Sequence, residues 1–339
     1  MPDVVDMLRA LPHAVTPGPA GPDLAAADVA RGHRALGQRR RRRLAGMGGA
    51  VAGTAAAVAV VLAAASTPQP AVPAGSASKP PAANSPLVSL AVHITATSGP
   101  LPGNASLIIR TQTVGGIPPE VSYNLYTDSG SFYGGGDKKS LMEAVARHEN
   151  LADGIDAREV AAARYAVTGD LAATRVRMVN ASPNYLGLGL SPAARKKIWE
   201  KAKAADGEIY KEKGIKFPPN PPVGKTLQEE ADNYVWNNSV DALSAGAGSP
   251  QVRAGVLRLL STISGVTVAH STTGGQPALT LTAGPEVFGG TGKQVLTINA
   301  RTGMPISSWV GDLGPQVPSS VDTYQVSRVT LADIEAGKF

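Results

Sequence analysis

The residues able to do chemistry are few and scattered. The five histidines are His13, His33, His93, His148 and His270, and no two have the spacing that would set two imidazoles on one metal ion. Cysteine is absent, which removes disulfides, thiolate metal sites and a thiol nucleophile. No G-x-S-x-G turn or tight Ser/His/Asp grouping is present to argue for a hydrolase. "PPVGKT" (221–226) ends like a phosphate-binding loop, but Pro219 stands where its first glycine is needed. "GGTGKQ" (289–294) has Val287 at that glycine position and Gln294 in place of the hydroxyl. Glu229 and Glu230 are adjacent and diverge on a helix, so they read as capping and solubilising groups. Lys196, Lys197, Lys201 and Lys203 read as a solvated helix face that could also touch anionic lipid or cell-wall polymer. The expectation is no catalytic, cofactor-binding or metal site.

The strongest signal concerns location. Arg39, Arg40, Arg41, Arg42 and Arg43 directly abut a run, Leu44 to Ala65, that contains no charged residue. As a helix those 22 residues rise about 33 Å, enough for a hydrocarbon layer of about 30 Å. Residues 1–43 hold eight arginines and four aspartates, so most of the net charge of +6 sits here. Basic residues flanking an apolar span stay on the cytoplasmic side. The reading is therefore a membrane-lipid anchor with the N-terminus inside, and nucleic acid is not the expected partner. Two rivals remain. Ala63-Ala64-Ala65 fits an A-x-A cleavage site after a twin-arginine-type signal, and the run could be a buried core helix. Gly49 and Gly53 form a G-x-x-x-G pair that can bring two membrane helices together.

The elements around this run divide the chain. In the leader (1–43), Val4, Leu8 and Leu11 fall on one helical face, and "PDLAAADVARGHRAL" holds a second short pattern. Neither is long enough to be stable alone. The leader is either a disordered tail or a segment that folds on a cytoplasmic partner, with Val4, Leu8 and Leu11 as its anchors. Residues 66–84 form a Pro/Ala-rich linker. Residues 85–336 are expected to be one exported α+β domain.

In that domain Val88, Leu90, Val92 and Ile94 alternate with Ser89, Ala91, His93 and Thr95, which predicts a strand. Strands are also predicted over 105–114, 120–127 and 131–133. Helices follow: one capped by Ser140 with Glu143, one opening at Ser191-Pro192, one capped by Thr226 with Glu229, and one opening at Ser249-Pro250. In the last, Val252, Val256, Leu259, Leu260 and Ile263 make an apolar stripe with Arg258 on the other side. Five strands complete the chain, with Arg301-Thr302-Gly303 as one of their turns. Strands, then helices, then strands predict an antiparallel sheet with helices packed on one face.

The arginine cluster, Ala-rich run, Pro-rich spacer, "VRAGVLRLLSTISGV" and "INARTGMPI" resemble a family of uncharacterised actinobacterial single-pass membrane proteins. These are often encoded beside extracytoplasmic-function sigma factors. "INARTGMPI" is also similar to the Asp-x-x-Thr-Gly-Leu-Pro hairpin of lipoprotein-carrier-like and RseB-like sheets, with Asn299 and Met304 in place of Asp and Leu. The resemblance implies a non-catalytic regulatory or sensory protein of the envelope, with a sigma factor as cytoplasmic partner. The alternatives are an exported module holding a lipid or other apolar ligand between sheet and helices, and an exported enzyme.

Overall fold

The computed structural model describes residues 85–339, except 98, 100, 116, 213–218, 289–291 and 312–317, and gives residues 205–212 as backbone. The leader, the arginine cluster, the uncharged run and the linker lie outside the described residues. No helix among the described residues is long and apolar enough to cross a membrane.

The first element corrects the sequence reading. Residues Pro86–Thr97 form a helix, α1, where alternation predicted a strand. Leu87, Leu90, Ala91 and Ile94 are its buried residues. They also sit at i, i+3, i+4 and i+7, the helical repeat, so the segment satisfied both periods. Packing decides between them: these four join the core built by the later helices, while Val92 is left 62% exposed. The hydroxyls of Thr95 and Thr97 turn back onto the Ala91 and His93 carbonyls, which suits β-branched residues in a helix.

The strands β1 (Ala105–Val114), β2 (Ile117–Thr127) and β3 (Phe132–Gly135) come next. The helical section holds α2 (Lys138–Ala146), α3 (Ile155–Thr168), α4 (Leu171–Val179), α5 (Pro192–Glu212), α6 (Gly224–Ala245) and α7 (Pro250–Leu260). After it come β4 (Val266–Thr273), β5 (Gln276–Ala283), a short α8 (Pro285–Phe288), β6 (Lys293–Asn299), β7 (Pro305–Gly311), β8 (Ser320–Val329) and α9 (Leu331–Glu335). The helix starts differ in detail from those predicted. Asp137, not Ser140, is the N-cap of α2, and Ser140 completes a capping box as its third residue. Val223 occupies the N-cap of α6 with no side-chain bond, leaving Thr226 inside the helix. Ser249 caps α7 as expected, accepting from the Val252 N–H. Helix α3 lacked a legible stripe because alanines form much of its buried side, and α4 because two of its four buried residues, Thr174 and Arg175, are polar.

All eight strands make one antiparallel sheet in the order β3-β2-β1-β8-β7-β6-β5-β4. Two meanders are thus joined where β1 pairs with β8, from Ala105 opposite Val329 to Val114 opposite Ser320. Helices lie on both faces of this sheet, not on one. Opposed residues in adjacent strands share a face, so the registers assign sides. Leu281, Leu296, Ser308, Asp322 and Gln112 lie on one face; Leu107, Leu125 and Tyr133 lie on the other. The main core sets Leu281, Leu296 and Ile298 against α1 and α3–α7, with Trp236, Leu243, Leu257 and Leu260 fully enclosed. The smaller core sets Leu107, Leu125 and Tyr133 against Leu141 and Val145 of α2 and Ile334 of α9, on the opposite face. The start of β1, a nearly continuous apolar run, is buried on both sides.

The two sheet edges differ. At one end β3 covers only Tyr123–Tyr126 of β2, and the uncovered part begins Ile117-Pro118-Pro119. Proline cannot donate to a neighbouring strand, so this uncovered part is blocked. At the other end β4 carries neither proline nor a charged lysine.

Candidate functional site

The structure concentrates polar side chains in the interior, and there any site must be sought. Across the helix-covered face runs a buried row from β6 to β1. Trp236, projecting from α6, donates its Nε1–H to Gln294 Oε1 at 2.8 Å. Gln294 Nε2 donates to Ser308 Oγ at 2.9 Å. Ser308 stands opposite Asp322, which stands opposite Gln112, and Gln112 Nε2 donates to Asp322 Oδ1 at 2.9 Å. Arg110 Nε lies 4.0 Å from the same carboxylate oxygen. Gln294, Ser308, Gln112 and Asp322 are all at most 5% exposed. A buried carboxylate is costly unless paired and hydrogen-bonded, and Asp322 has both compensations. It bonds residues 210 apart in sequence, holding the two meanders in register.

A second group ties the helices together. Arg175 of α4 binds Asp232 of α6 and donates to Thr262 Oγ1 at 2.7 Å. Gln228 Nε2 donates to the same Asp232 oxygen at 3.0 Å. Tyr185 donates to Glu230, and Asn238 Nδ2 donates to the Met178 carbonyl at 2.6 Å. Arg253 of α7, 2% exposed, donates to the Thr302 carbonyl at 2.7 Å and to the Ala247 carbonyl. It thereby anchors the β6–β7 turn to the helices, and burial pushes its guanidinium down to about 10. At the smaller core's rim Arg328 clamps Asp128 at 2.7 Å, the Gly103 carbonyl at 2.7 Å and Ser106 Oγ at 3.1 Å.

These groups are engaged by partners within the protein. Ser308 Oγ is engaged by an amide, and no histidine belongs to the row. His93 lies exposed on α1, His148 follows α2 and His270 lies exposed on β4. No cluster of metal-ligating residues occurs among the described residues. Gly224 and Lys225 of the phosphate-loop-like stretch open α6, with Lys225 exposed and 3.4 Å from Glu229. Lys196, Lys197, Lys201 and Lys203 of α5 are exposed. Glu230 departs from expectation: it is a buried acceptor for Tyr185 rather than a solubilising charge. Val4, Leu8, Leu11 and Arg39–Arg43 lie outside the described residues.

Comparison with protein-family models, curated proteins and solved structures returns no match to this chain. The polar row was not legible beforehand. Asp322 and Gln112 alternate with Val321 and Thr113, so period-2 reading would have turned the polar residues outward. Their burial becomes visible only once β1 meets β8.

Proposed function

We propose that this chain is a membrane-anchored regulatory or sensory protein of the cell envelope, non-catalytic, with a folded α+β domain outside and a short leader inside. The observation that carries the reading is the five-arginine cluster set against 22 uncharged residues. A Pro-rich spacer follows before the first described helix begins at Pro86. The polar interior supports a non-catalytic role. Asp322, Asp232 and Glu230, carboxylates buried deeply enough to suit acid–base work, each accept structural hydrogen bonds. In this reading the leader binds a cytoplasmic protein through Val4, Leu8 and Leu11, with a sigma factor as the partner the sequence resemblance implies. A carrier of apolar ligands is less well supported. Trp236, Leu257, Leu260, Leu281 and Leu296 occupy the interior between helices and sheet, and a ligand there would have to displace them.

The test is topological. Alkaline phosphatase fused after Phe339 should be active, and the full chain should stay with membranes through a carbonate wash. Release of a shortened chain beginning near Ser66 would replace the anchor with a cleaved signal, and the leader could not then act in the cytoplasm alongside the domain.

A further inference from the structure

The free edge of β4 has the features of a pairing surface. Its hairpin to β5 closes through Gly274 and Gly275, both at positive φ (57° and 76°), with Thr273 opposite Gln276. A two-residue loop of this kind makes the closing pair hydrogen-bonded. Hydrogen-bonded and open pairs then alternate along the ladder. The backbone groups of Thr273, Ser271, Ala269 and Thr267 therefore point to β5, while those of Thr272, His270, Val268 and Val266 point outward. The Val266 N–H is taken by the Ile263 carbonyl at 3.2 Å. Val268, His270 and Thr272 keep outward donors and acceptors in a strand that pairs with β5 over all eight residues. His270 and Thr272 are exposed.

We propose that two copies of this chain associate through β4, antiparallel and edge to edge, so that two eight-stranded sheets become one. The register follows from the outward donors. Centring the two-fold axis on His270 sets it opposite its counterpart, and sets Val268 opposite Thr272 of the second copy. That register uses all three outward residues and forms about six backbone hydrogen bonds, two per facing pair. Any other register leaves one of the three without an outward-facing free N–H opposite it. The side chains match as well. Ala269 faces Ser271, Thr267 faces Thr273, and no charge opposes a like charge, the usual device against such pairing. At the other end of the sheet the short β3 has its Phe132 N–H and carbonyl taken by Asn150 and Leu151, and the part of β2 it leaves uncovered carries Pro118 and Pro119, so among the described strands β4 is the edge open to pairing and the association stops at two. The linker is a poor rival occupant, since Pro68, Pro70, Pro73, Pro80 and Pro81 interrupt any strand it could offer. The inference does not depend on the anchor.

The absence of cysteine makes the test direct. In the full chain, purified in mild detergent, His270→Cys should form a disulfide between copies under gentle oxidation. Facing residues of an antiparallel pair lie within the Cα separation that a disulfide spans. Glu335→Cys, exposed on α9, serves as the collision control. His270→Lys in an otherwise unchanged chain should shift the sedimentation profile from dimer to monomer while the near-ultraviolet dichroism of the folded domain is retained. The His270→Cys cross-link should survive Gly49→Leu with Gly53→Leu, which removes the small-residue pair of the uncharged run. A cross-link no stronger than that of Glu335→Cys would overturn the proposal, as would one lost with Gly49 and Gly53.

Discussion

Asp137 shows how a single side chain fixes an element's start. Its carboxylate accepts the Ser140 N–H at 2.7 Å, and its own N–H donates to Ser140 Oγ at 3.1 Å. The backbone bond from Ser140, followed by its side-chain bond, holds the Asp137 carboxyl below its ordinary value of 3.8. A value depressed in the folded state stabilises at pH above 3.8 and loses that contribution as the pH falls through and below it. Asp137→Asn keeps an acceptor at the cap and loses the charge. Its stability in urea unfolding, followed from neutral to acid pH, should therefore decline less steeply than that of the parent. Parallel declines would show that the cap contributes nothing through its charge. The sequence reading places the cap at Ser140, with Glu143 as its partner, and passes over Asp137 three residues earlier.

Helix α7 was the most legible element and also the one whose surroundings were most misread. Its stripe is buried as the spacing predicts, and Leu260→Ala should cost about 2–5 kcal/mol. The opposite side is not free. Arg253, Ala254 and Gly255 are buried too, and half-buried Arg258 donates to the Val167 carbonyl. Arg258→Ala should thus cost about 1 kcal/mol rather than the near-zero expected of a solvent-facing residue. At Gly255 a Cβ would stand 1.7 Å from the Ala163 carbonyl oxygen, because α3 crosses α7 there on small residues. Gly255→Ala should destabilise by about 1–3 kcal/mol or more. That reverses the gain expected from alanine in an exposed helix. An unfolding midpoint equal to or above the parent's would mean the helices do not touch at this point. Alanine and glycine carry almost no hydropathy signal, which is why α3 and this crossing were invisible before the structure.

On the scale of the whole molecule, the pairing of β1 with β8 decides the architecture. It joins strands from opposite ends of the described chain and carries the Gln112–Asp322 bond near its Val114–Ser320 end. A chain ending at residue 319 would lose β8, α9 and Ile334, which closes the smaller core. It would leave β1 and β7 as raw edges. Such a chain should lack the native near-ultraviolet dichroism and a cooperative transition. Retention of both would show that the meanders fold as independent units. Because this contact spans most of the domain, its loop-closure cost is met late, and folding should be slow relative to a helical bundle of this size.

The sequence by itself determined the class and nearly all the strands. Alternation, turn glycines and β-branched residues are local signals, and β1 to β8 lie where they predicted. It also determined the charge asymmetry and uncharged run on which the proposed location rests. What it left open were the properties set by neighbours far along the chain. Pro86–Thr97 satisfied two periods, and only the core of α7 chose the helix. Gln112, Asp322, Glu230 and Arg253 are polar residues whose burial depends on partners between 6 and 210 positions away. Helices occupy both faces of the sheet because the apolar residues of β1–β3 and those of β5–β6 fall on opposite sides once β8 sets the common register. Local pattern gives each strand an inner face, but only the long-range pairing says whether two inner faces coincide.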